Sequence, residues 1–321
     1  MYNKELNFSL WADFIERDFI ATKLRSLIDS GVVNGATSNP TIFKNAFSSS
    51  QAYKKDLLDL LHLSKKERYE SLAIADIQQA CDALMPLFDA DDDGFVSLEV
   101  DPNLCDDTTA TINEARRLYK SIDRANVMIK IPATKAGYEA MRVLSNEGIC
   151  INATLIFKSD QALKCADALK NSTSKLNVLS IFVSRIDRIL DEKLAQHKIE
   201  PSLSGIYNAT KIYYEVEALG LKNTKVLFAS TGVKGDALPP CYYIQKLLLP
   251  NTINTAPIET IDAFVEGGDK NLVDLAFPAM IDEYFALLAK ININFDNILD
   301  ELIADGLAQF KKSFQEIMEV L

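Results

Sequence analysis

The chain has 321 residues, of which 48% are hydrophobic and 25% charged, and its formal net charge is −11 at pH 7. This composition is typical of a soluble globular protein, and the acidic balance argues against a general binder of nucleic acid or anionic membranes. A phosphorylated small molecule is not excluded, because one local arginine or lysine can hold a phosphate on an acidic protein.

Eight short apolar runs rich in β-branched residues recur along the chain, at 7–15, 32–39, 95–101, 127–133, 150–157, 177–183, 225–231 and 251–257. Segments with helical spacing of apolar residues separate most of them. Alternating strands and helices predict an α/β fold with parallel βα units, and eight such units predict one (β/α)8 TIM barrel domain over residues 1–321. Helical patterns between the second and third runs, and from about Asn271 onward, predict additional helices after strand 2 and at the C-terminus.

Cysteine and histidine usage limits the chemistry. The five cysteines are widely spread without a C-x-x-C pair, which predicts reduced thiols. The N-terminus lacks an apolar stretch and no run has the length of a membrane span, so we expect a cytoplasmic protein without a signal peptide. The only two histidines, His62 and His197, lie in polar helix-like segments and are interpreted as solvated. We therefore expect no metal site and no cofactor, and chemistry from carboxylates, lysine and hydroxyls.

Polar residues interrupt strands that should be almost continuously apolar in a barrel. Most of them fall in the second half of their strand, and the C-terminal strand ends form the active-site face of this fold. They predict a catalytic pocket, although a residue such as Asn39 before Pro40 also suits a helix cap or turn, and Ser180 and Thr154 suit local hydrogen bonds. The interrupting residues are Asp13, Asn39, Glu99, Lys130, Asn152, Thr154, Ser180 and Ser230.

Lys130 is the most informative of these residues, because it lies in the middle of the apolar run VMIKIPA. A closed barrel has no edge at which this side chain could reach solvent, which leaves a structural ion pair with Glu99 as the alternative to a catalytic role. Desolvation disfavours the ammonium form, so a buried lysine retains some free amine that can attack a ketone. The resulting imine is an electron sink, and nearby carboxylates can move protons. This combination predicts retro-aldol chemistry without a metal.

The acidic segment at 89–95, DADDDGF, is similar to a calcium-binding loop. The bidentate glutamate of such a loop would fall on Val100, whereas Glu99 is one residue too early, and a strand follows in place of a helix. We interpret residues 89–93 as a solvated acidic turn.

Two longer stretches carry a family resemblance. The stretch GATSNPTIF at 35–43 resembles the transaldolase motif T-[ST]-N-P, and VMIKIPATKAG at 127–137 resembles the Schiff-base lysine motif of that family. The stretches VSLEVDP, INATLIF and SIFVSRID resemble the corresponding strand ends, in order, so the resemblance covers most of the chain.

The resemblance implies roles for individual residues. Lys130 would form the Schiff base, Asp13 would act as the acid/base for C–C cleavage, and Glu99 with Thr154 would hold the catalytic water. The residues implied in substrate binding are Asn39 and Asn152 on the dihydroxyacetone unit, Ser38 of the T-[ST]-N-P motif, Ser180 on the donor hydroxyls, and Arg185 on the phosphate.

One departure from the family pattern concerns the seventh strand. Many transaldolases have Ser-Phe-Arg there, whereas this chain reads Ser230-Thr231-Gly232-Val233-Lys234. The second phosphate contact is therefore open, with Ser230, backbone N–H groups near Gly232, or Lys234 as candidates.

The resemblance implies transfer of a dihydroxyacetone unit from a ketose phosphate, such as sedoheptulose 7-phosphate or fructose 6-phosphate. The acceptor would be an aldose phosphate, glyceraldehyde 3-phosphate or erythrose 4-phosphate, in the pentose phosphate pathway. A fructose-6-phosphate-type aldolase on the same scaffold, and a non-catalytic calcium or sugar-phosphate binding protein, remain alternatives. The expected partners are small-molecule sugar phosphates, without nucleic acid or membrane, for a monomer or homodimer.

Overall fold

A closed barrel of eight parallel strands forms the centre of the computed structural model, which describes residues 2–271 and 276–321. Each strand pairs with the next and the eighth pairs with the first, which confirms the predicted TIM barrel. Every strand begins and ends within its predicted run or one residue outside it. The strands are β1 (Ser9–Ala12), β2 (Gly35–Thr37), β3 (Phe95–Glu99), β4 (Val127–Pro132), β5 (Cys150–Ile156), β6 (Asn177–Phe182), β7 (Thr224–Ala229) and β8 (Thr252–Ala256).

Helices surround the barrel, and the predicted additional helices are present after β2 and at the C-terminus. Of the C-terminal region predicted to be helical from about Asn271, residues 272–275 lie outside the described residues. The α-helices are α1 (Arg17–Phe19), α2 (Arg25–Asp29), α3 (Pro40–Ser49), α4 (Lys54–Asp59), α5 (Lys65–Asp89), α6 (Thr108–Ile122), α7 (Lys135–Asn146), α8 (Ser159–Leu169), α9 (Ser184–Gln196), α10 (Ser204–Glu217), α11 (Tyr242–Lys246), α12 (Ile258–Gly267), α13 (Pro278–Lys290) and α14 (Phe295–Val320).

Side-chain caps start several helices soon after a strand ends. The side chain of Asn39 accepts a hydrogen bond from the Ile42 backbone N–H at 3.0 Å, and Pro40 is the first residue of α3. Thr134 caps α7 in the same way just after β4, whereas the Asp107 cap of α6 is separated from the end of β3 by a short 3-10 helix at Pro102–Leu104. A cap of this kind satisfies an N–H that the helix leaves unpaired, and proline suits the first helical position. The chain therefore turns sharply at these strand ends.

A large aromatic side chain fills the barrel towards the N-terminal ends of its strands. Trp11 on β1 is fully buried and stacks on Phe95 of β3, with ring centroids 6.4 Å apart. A Cβ atom added to Gly35 on β2 would lie 2.5 Å from the Trp11 ring, so only glycine fits beside it. This packing closes the barrel below the polar strand ends.

The acidic segment before β3 is a turn, but its description as solvated is wrong for one residue. Asp93 is buried, and it accepts a hydrogen bond from Trp11 Nε1 at 3.1 Å and lies 3.7 Å from Lys225. Asp91 is exposed and forms an ion pair with Lys175 at 2.7 Å. The indole N–H explains the burial, because a buried carboxylate needs donors. Through Asp93, the segment contacts the end of the barrel that lies opposite the polar strand ends.

The C-terminal helix α14 returns to the barrel and packs on α3, where Ser313 contacts Thr41 at 2.9 Å and Glu316 pairs with Lys44 at 3.0 Å. Midway along α14, a Cβ added to Gly306 would lie 2.9 Å from Leu155 Cδ2 and 3.6 Å from an Arg185 nitrogen. The absence of a side chain at Gly306 therefore lets the helix approach the polar end of the barrel closely.

Candidate active site

A cavity of about 630 Å³ lies at the C-terminal ends of the strands. The polar side chains predicted from the sequence divide into two groups around it. Seven of them line the cavity, namely Asp13, Asn39, Lys130, Ser180, Arg185, Ser230 and Lys234. The other four are buried without lining it, namely Ser38, Glu99, Asn152 and Thr154. The strand ends thus bring the predicted residues to one end of the barrel, with the second group behind the first.

Lys130 lies at the floor of the cavity and is only 5% exposed. Its Nζ donates a hydrogen bond to the backbone carbonyl of Ser38 at 3.0 Å. Among the described residues, no carboxylate comes within 4.0 Å of Nζ, so the alternative of a structural ion pair with Glu99 is wrong. A lysine held by one carbonyl and facing a cavity is suited to nucleophilic attack, because no salt bridge has to be broken first.

Glu99 is the register partner of Lys130 across β3 and β4, and it is 5% exposed. Burial raises its pKa to about 8, although the nearby Lys130 charge lowers that pKa and the Asp13 charge raises it further. Neither carboxyl oxygen has a hydrogen-bond partner among the described residues, and the same holds for the hydroxyl of Thr154 on β5. Buried polar atoms of this kind are rare, which marks both residues as available to a reactant.

Asp13 is held at the end of β1 by a short chain of hydroxyls. Thr37 at the end of β2 donates a hydrogen bond to Asp13 Oδ1 at 2.8 Å, and Thr255 of β8 contacts the Thr37 hydroxyl at 2.8 Å. Because the Thr37 proton is used on the carboxylate, Thr255 is the donor in the second contact. These bonds fix the orientation of a carboxylate that faces the cavity.

Asn152 is oriented from both sides within the barrel. Its Oδ1 accepts a hydrogen bond from the Ser180 hydroxyl at 2.7 Å, and its Nδ2 donates to Ser97 Oγ at 3.2 Å. Ser38 is also bonded to β3, the strand of Ser97, since its hydroxyl donates to the Ser97 carbonyl at 2.7 Å. The Asn39 side chain caps α3, which is the structural role that the sequence also suggested, and it lines the cavity as well.

Arg185 forms part of the rim, on the first turn of α9. Its guanidinium lies 5.2 Å from the centre of the Phe182 ring, and its Nη1 is buried without a hydrogen-bond partner among the described residues. Burial is the largest cause of the lowered pKa of Arg185, and the charge of the neighbouring Arg188 lowers this pKa further. Across the rim, the Ser184 and Ser230 hydroxyls are 3.2 Å apart, and no side-chain cap binds the N-terminus of α9. This rim therefore favours an anion.

Sequence reasoning missed several residues of the site. The position of Thr37 in the site could have been predicted from its spacing. It lies two residues before Asn39 in the same stretch, and alternate residues of a strand share a face. Ser97 lies two residues before Glu99 in the same way. Arg188 also has a signal, because it lies three residues after Arg185 and so shares its helix face. The α14 residues of the cavity wall had no such signal, since only folding brings them to the strand ends. Those α14 residues are Leu302, Asp305, Gln309 and Phe310.

The features set aside in the sequence analysis lie away from this cavity. His62 and His197 are both exposed. Within residues 2–271 and 276–321, no group of three or more histidine, cysteine, aspartate or glutamate side chains is placed to hold a metal ion. Over the same ranges, no helix has the length and apolar character needed to cross a membrane.

The whole barrel is similar in sequence to known proteins. The family model described as transaldolase/fructose-6-phosphate aldolase matches residues 10–321. A protein of Campylobacter jejuni (strain RM1221) named transaldolase is 44% identical, with 98% of this chain and 99% of that protein covered. Proteins of Helicobacter pylori with the same name are 43% identical (strain Shi470) and 41% identical (strain 26695), each covering 97% of this chain and 98% of the relative. The chain belongs to the transaldolase/fructose-6-phosphate aldolase family.

Proposed function

We propose that the protein is a transaldolase that moves a dihydroxyacetone unit from a ketose phosphate to an aldose phosphate through a Schiff base on Lys130. The observation that carries the proposal is a lysine on barrel strand β4 that lines a cavity and has no carboxylate in ion-pair contact among the described residues. Sedoheptulose 7-phosphate or fructose 6-phosphate would be the donor, and glyceraldehyde 3-phosphate or erythrose 4-phosphate the acceptor.

The first half of the reaction builds the imine. The Lys130 amine adds to the C2 carbonyl of the ketose, and the carbinolamine then loses its hydroxyl as water. A pKa of about 8 leaves Glu99 mostly protonated at pH 7, so it can supply the proton that this leaving hydroxyl needs. The unpartnered Thr154 hydroxyl can hold the water that relays the proton.

The second half breaks and remakes the C–C bond. Asp13 takes the proton of the C4 hydroxyl, the C3–C4 bond breaks, and its electron pair flows into the protonated imine as an aldose leaves. The remaining enamine attacks the acceptor aldehyde, whose oxygen recovers the proton from Asp13. Water then hydrolyses the new imine and frees Lys130. Asn39, Asn152 and Ser180 would orient the donor hydroxyls, with Ser38 in support.

The test is borohydride reduction of the enzyme with fructose 6-phosphate and no acceptor, followed by mass mapping. We expect a reduced three-carbon remnant on Lys130 and none in Lys130→Met. A remnant on Lys211 or Lys225 would contradict the proposal. Lys211 is a suitable internal comparison, because it forms an ion pair with Asp282 at 3.0 Å, away from the cavity.

Product analysis separates the proposal from its nearest alternative. A fructose-6-phosphate-type aldolase would release free dihydroxyacetone without an acceptor, whereas a transaldolase needs the acceptor for turnover. A non-catalytic binding protein would trap no remnant at all. The single domain over 1–321, the cytoplasmic location, and the monomer or homodimer remain predictions.

A further inference from the structure

The rim of the cavity contains positive charges that form no ion pair with a carboxylate of the described residues, although the charge of Asp305 in the same cavity acts on both arginines from a longer distance. Arg185, Arg188 and Lys234 all line the cavity. Within the described ranges, none of the three has a carboxylate within 4.0 Å. In a chain of net charge −11, where carboxylates are plentiful, a group of cations at a cavity mouth without direct ion pairs favours an anionic ligand.

Arg188 is placed to act together with Arg185. The two residues are three positions apart on α9, so their side chains lie on the same face of the helix. Their charges also interact, because the Arg188 charge is the largest electrostatic influence that lowers the pKa of Arg185. A dianion between two neighbouring guanidinium groups would relieve this repulsion.

The Arg188 side chain is anchored but keeps its donors available. Its Nε donates to the Ser184 carbonyl at 3.4 Å, and no other hydrogen bond of this side chain is formed by the described part of the chain. The terminal nitrogens therefore remain open to a ligand at the N-terminus of α9. Lys234 is exposed and makes neither an ion pair nor a hydrogen bond among the described residues, and its flexible stem is not held by the fold.

We infer that Arg188 is the second guanidinium that binds the substrate phosphate, beside Arg185 on α9, and that it takes the place left open after β7. This inference rests on the proposed function, since it names the ligand of the same site. The ligand class is a phosphate monoester dianion, which two forked guanidinium groups can each contact through paired N–H donors. Ser230 and Lys234 would add contacts of secondary importance.

The experiment measures competitive inhibition by inorganic phosphate, together with the kcat/KM ratio for fructose 6-phosphate over unphosphorylated fructose. We expect Arg188→Ala to weaken phosphate inhibition at least about tenfold and to lower that ratio similarly, because charge-assisted hydrogen bonds are lost. Arg188→Lys should recover part of both losses. Lys234→Ala, and Arg25→Ala as a control for removal of a remote exposed charge on α2, should change phosphate inhibition less than about threefold.

The outcomes distinguish this inference from the proposed function. If wild type forms a Lys130 adduct and Arg188→Ala resembles Arg25→Ala, then Arg188 is not a phosphate ligand and the inference is overturned. If Lys234→Ala shows the larger defect, Lys234 is the second contact and the inference is also overturned. Failure of wild type to form any Lys130 adduct would count against the proposed function instead. Thermal unfolding of each variant checks that the exposed substitutions leave the fold intact.

Discussion

Glu99 and Lys130 are register partners on neighbouring strands, yet the ammonium group hydrogen bonds to the Ser38 carbonyl and not to the carboxyl group. The two opposite charges are close enough for Lys130 to lower the pKa of Glu99, but burial outweighs that effect and leaves the pKa at about 8. The two residues therefore do not form a salt bridge, and Glu99 is mostly protonated at neutral pH.

The first consequence is a pH dependence of stability. A carboxyl group whose pKa is raised on folding binds its proton more tightly in the native state, so its stabilising contribution is complete below the unfolded pKa and is lost as pH rises towards 8. Glu99→Gln cannot lose a proton. We expect its free energy of unfolding, relative to wild type, to increase between pH 5 and pH 9, by a few kcal/mol at most since one pKa unit corresponds to about 1.4 kcal/mol.

Urea denaturation of both proteins at pH 5, 7 and 9 measures this difference. Asp187 also has a pKa raised by burial, to about 7, and produces a slope of the same sign in both proteins. The difference between the two curves therefore isolates Glu99. A difference that stays constant across this pH range would contradict the raised pKa.

The second prediction separates Asp13 from Glu99. Asp13→Ala should still accumulate the borohydride-trappable imine, because dehydration remains intact while C–C cleavage is slowed. Glu99→Ala should form that imine slowly, because the carbinolamine lacks its acid. Loss of a positioned acid or base typically costs about 10²–10⁴-fold, which a time course of intact mass can resolve. Asp89→Ala, at the exposed end of α5, serves as the control. Equal rates of trapping, or the reverse order, would disprove this division of roles.

The third prediction concerns Arg185. We expect Arg185→Ala to weaken binding of phosphorylated sugars by at least about tenfold, because an arginine can contact phosphate through two parallel bonds. Lys234→Ala should have a smaller effect of the same kind. Steady-state KM values for fructose 6-phosphate measure both effects. If wild type treats phosphorylated and unphosphorylated ketoses equally, the phosphate role has no basis.

The fourth prediction is that activity persists in EDTA and that added calcium changes neither activity nor stability. Asp93 of the acidic turn is already engaged by the Trp11 indole and lies near Lys225, so it is not available as one of several calcium ligands. Activity and thermal unfolding with and without chelator measure this. Loss of activity in EDTA, restored by a divalent metal, would refute the prediction.

The barrel could be predicted from the sequence because its strands are short apolar runs separated by helical patterns. Polar residues at the strand ends also predicted the cavity, since seven of them line it. The position of α14 could not be predicted. Its sequence shows an amphipathic helix, but no local pattern indicates that it packs on α3 or that Gly306 lies against Leu155. Asp93 was misread for a similar reason, since its indole partner lies 82 positions earlier in the chain.

The placement of α14 also has a consequence for the order in which the site is completed during folding. The residues that wall the cavity from this helix, Leu302 to Phe310, lie in the last of the helices, whereas Lys130 lies on the fourth strand. Contacts between positions so far apart in the chain are slow to form, because the long loop between them must close first. A barrel on which α14 has not yet docked would therefore leave Lys130 in a cavity that lacks one wall, and we expect the cavity to be complete only after this helix has packed on α3.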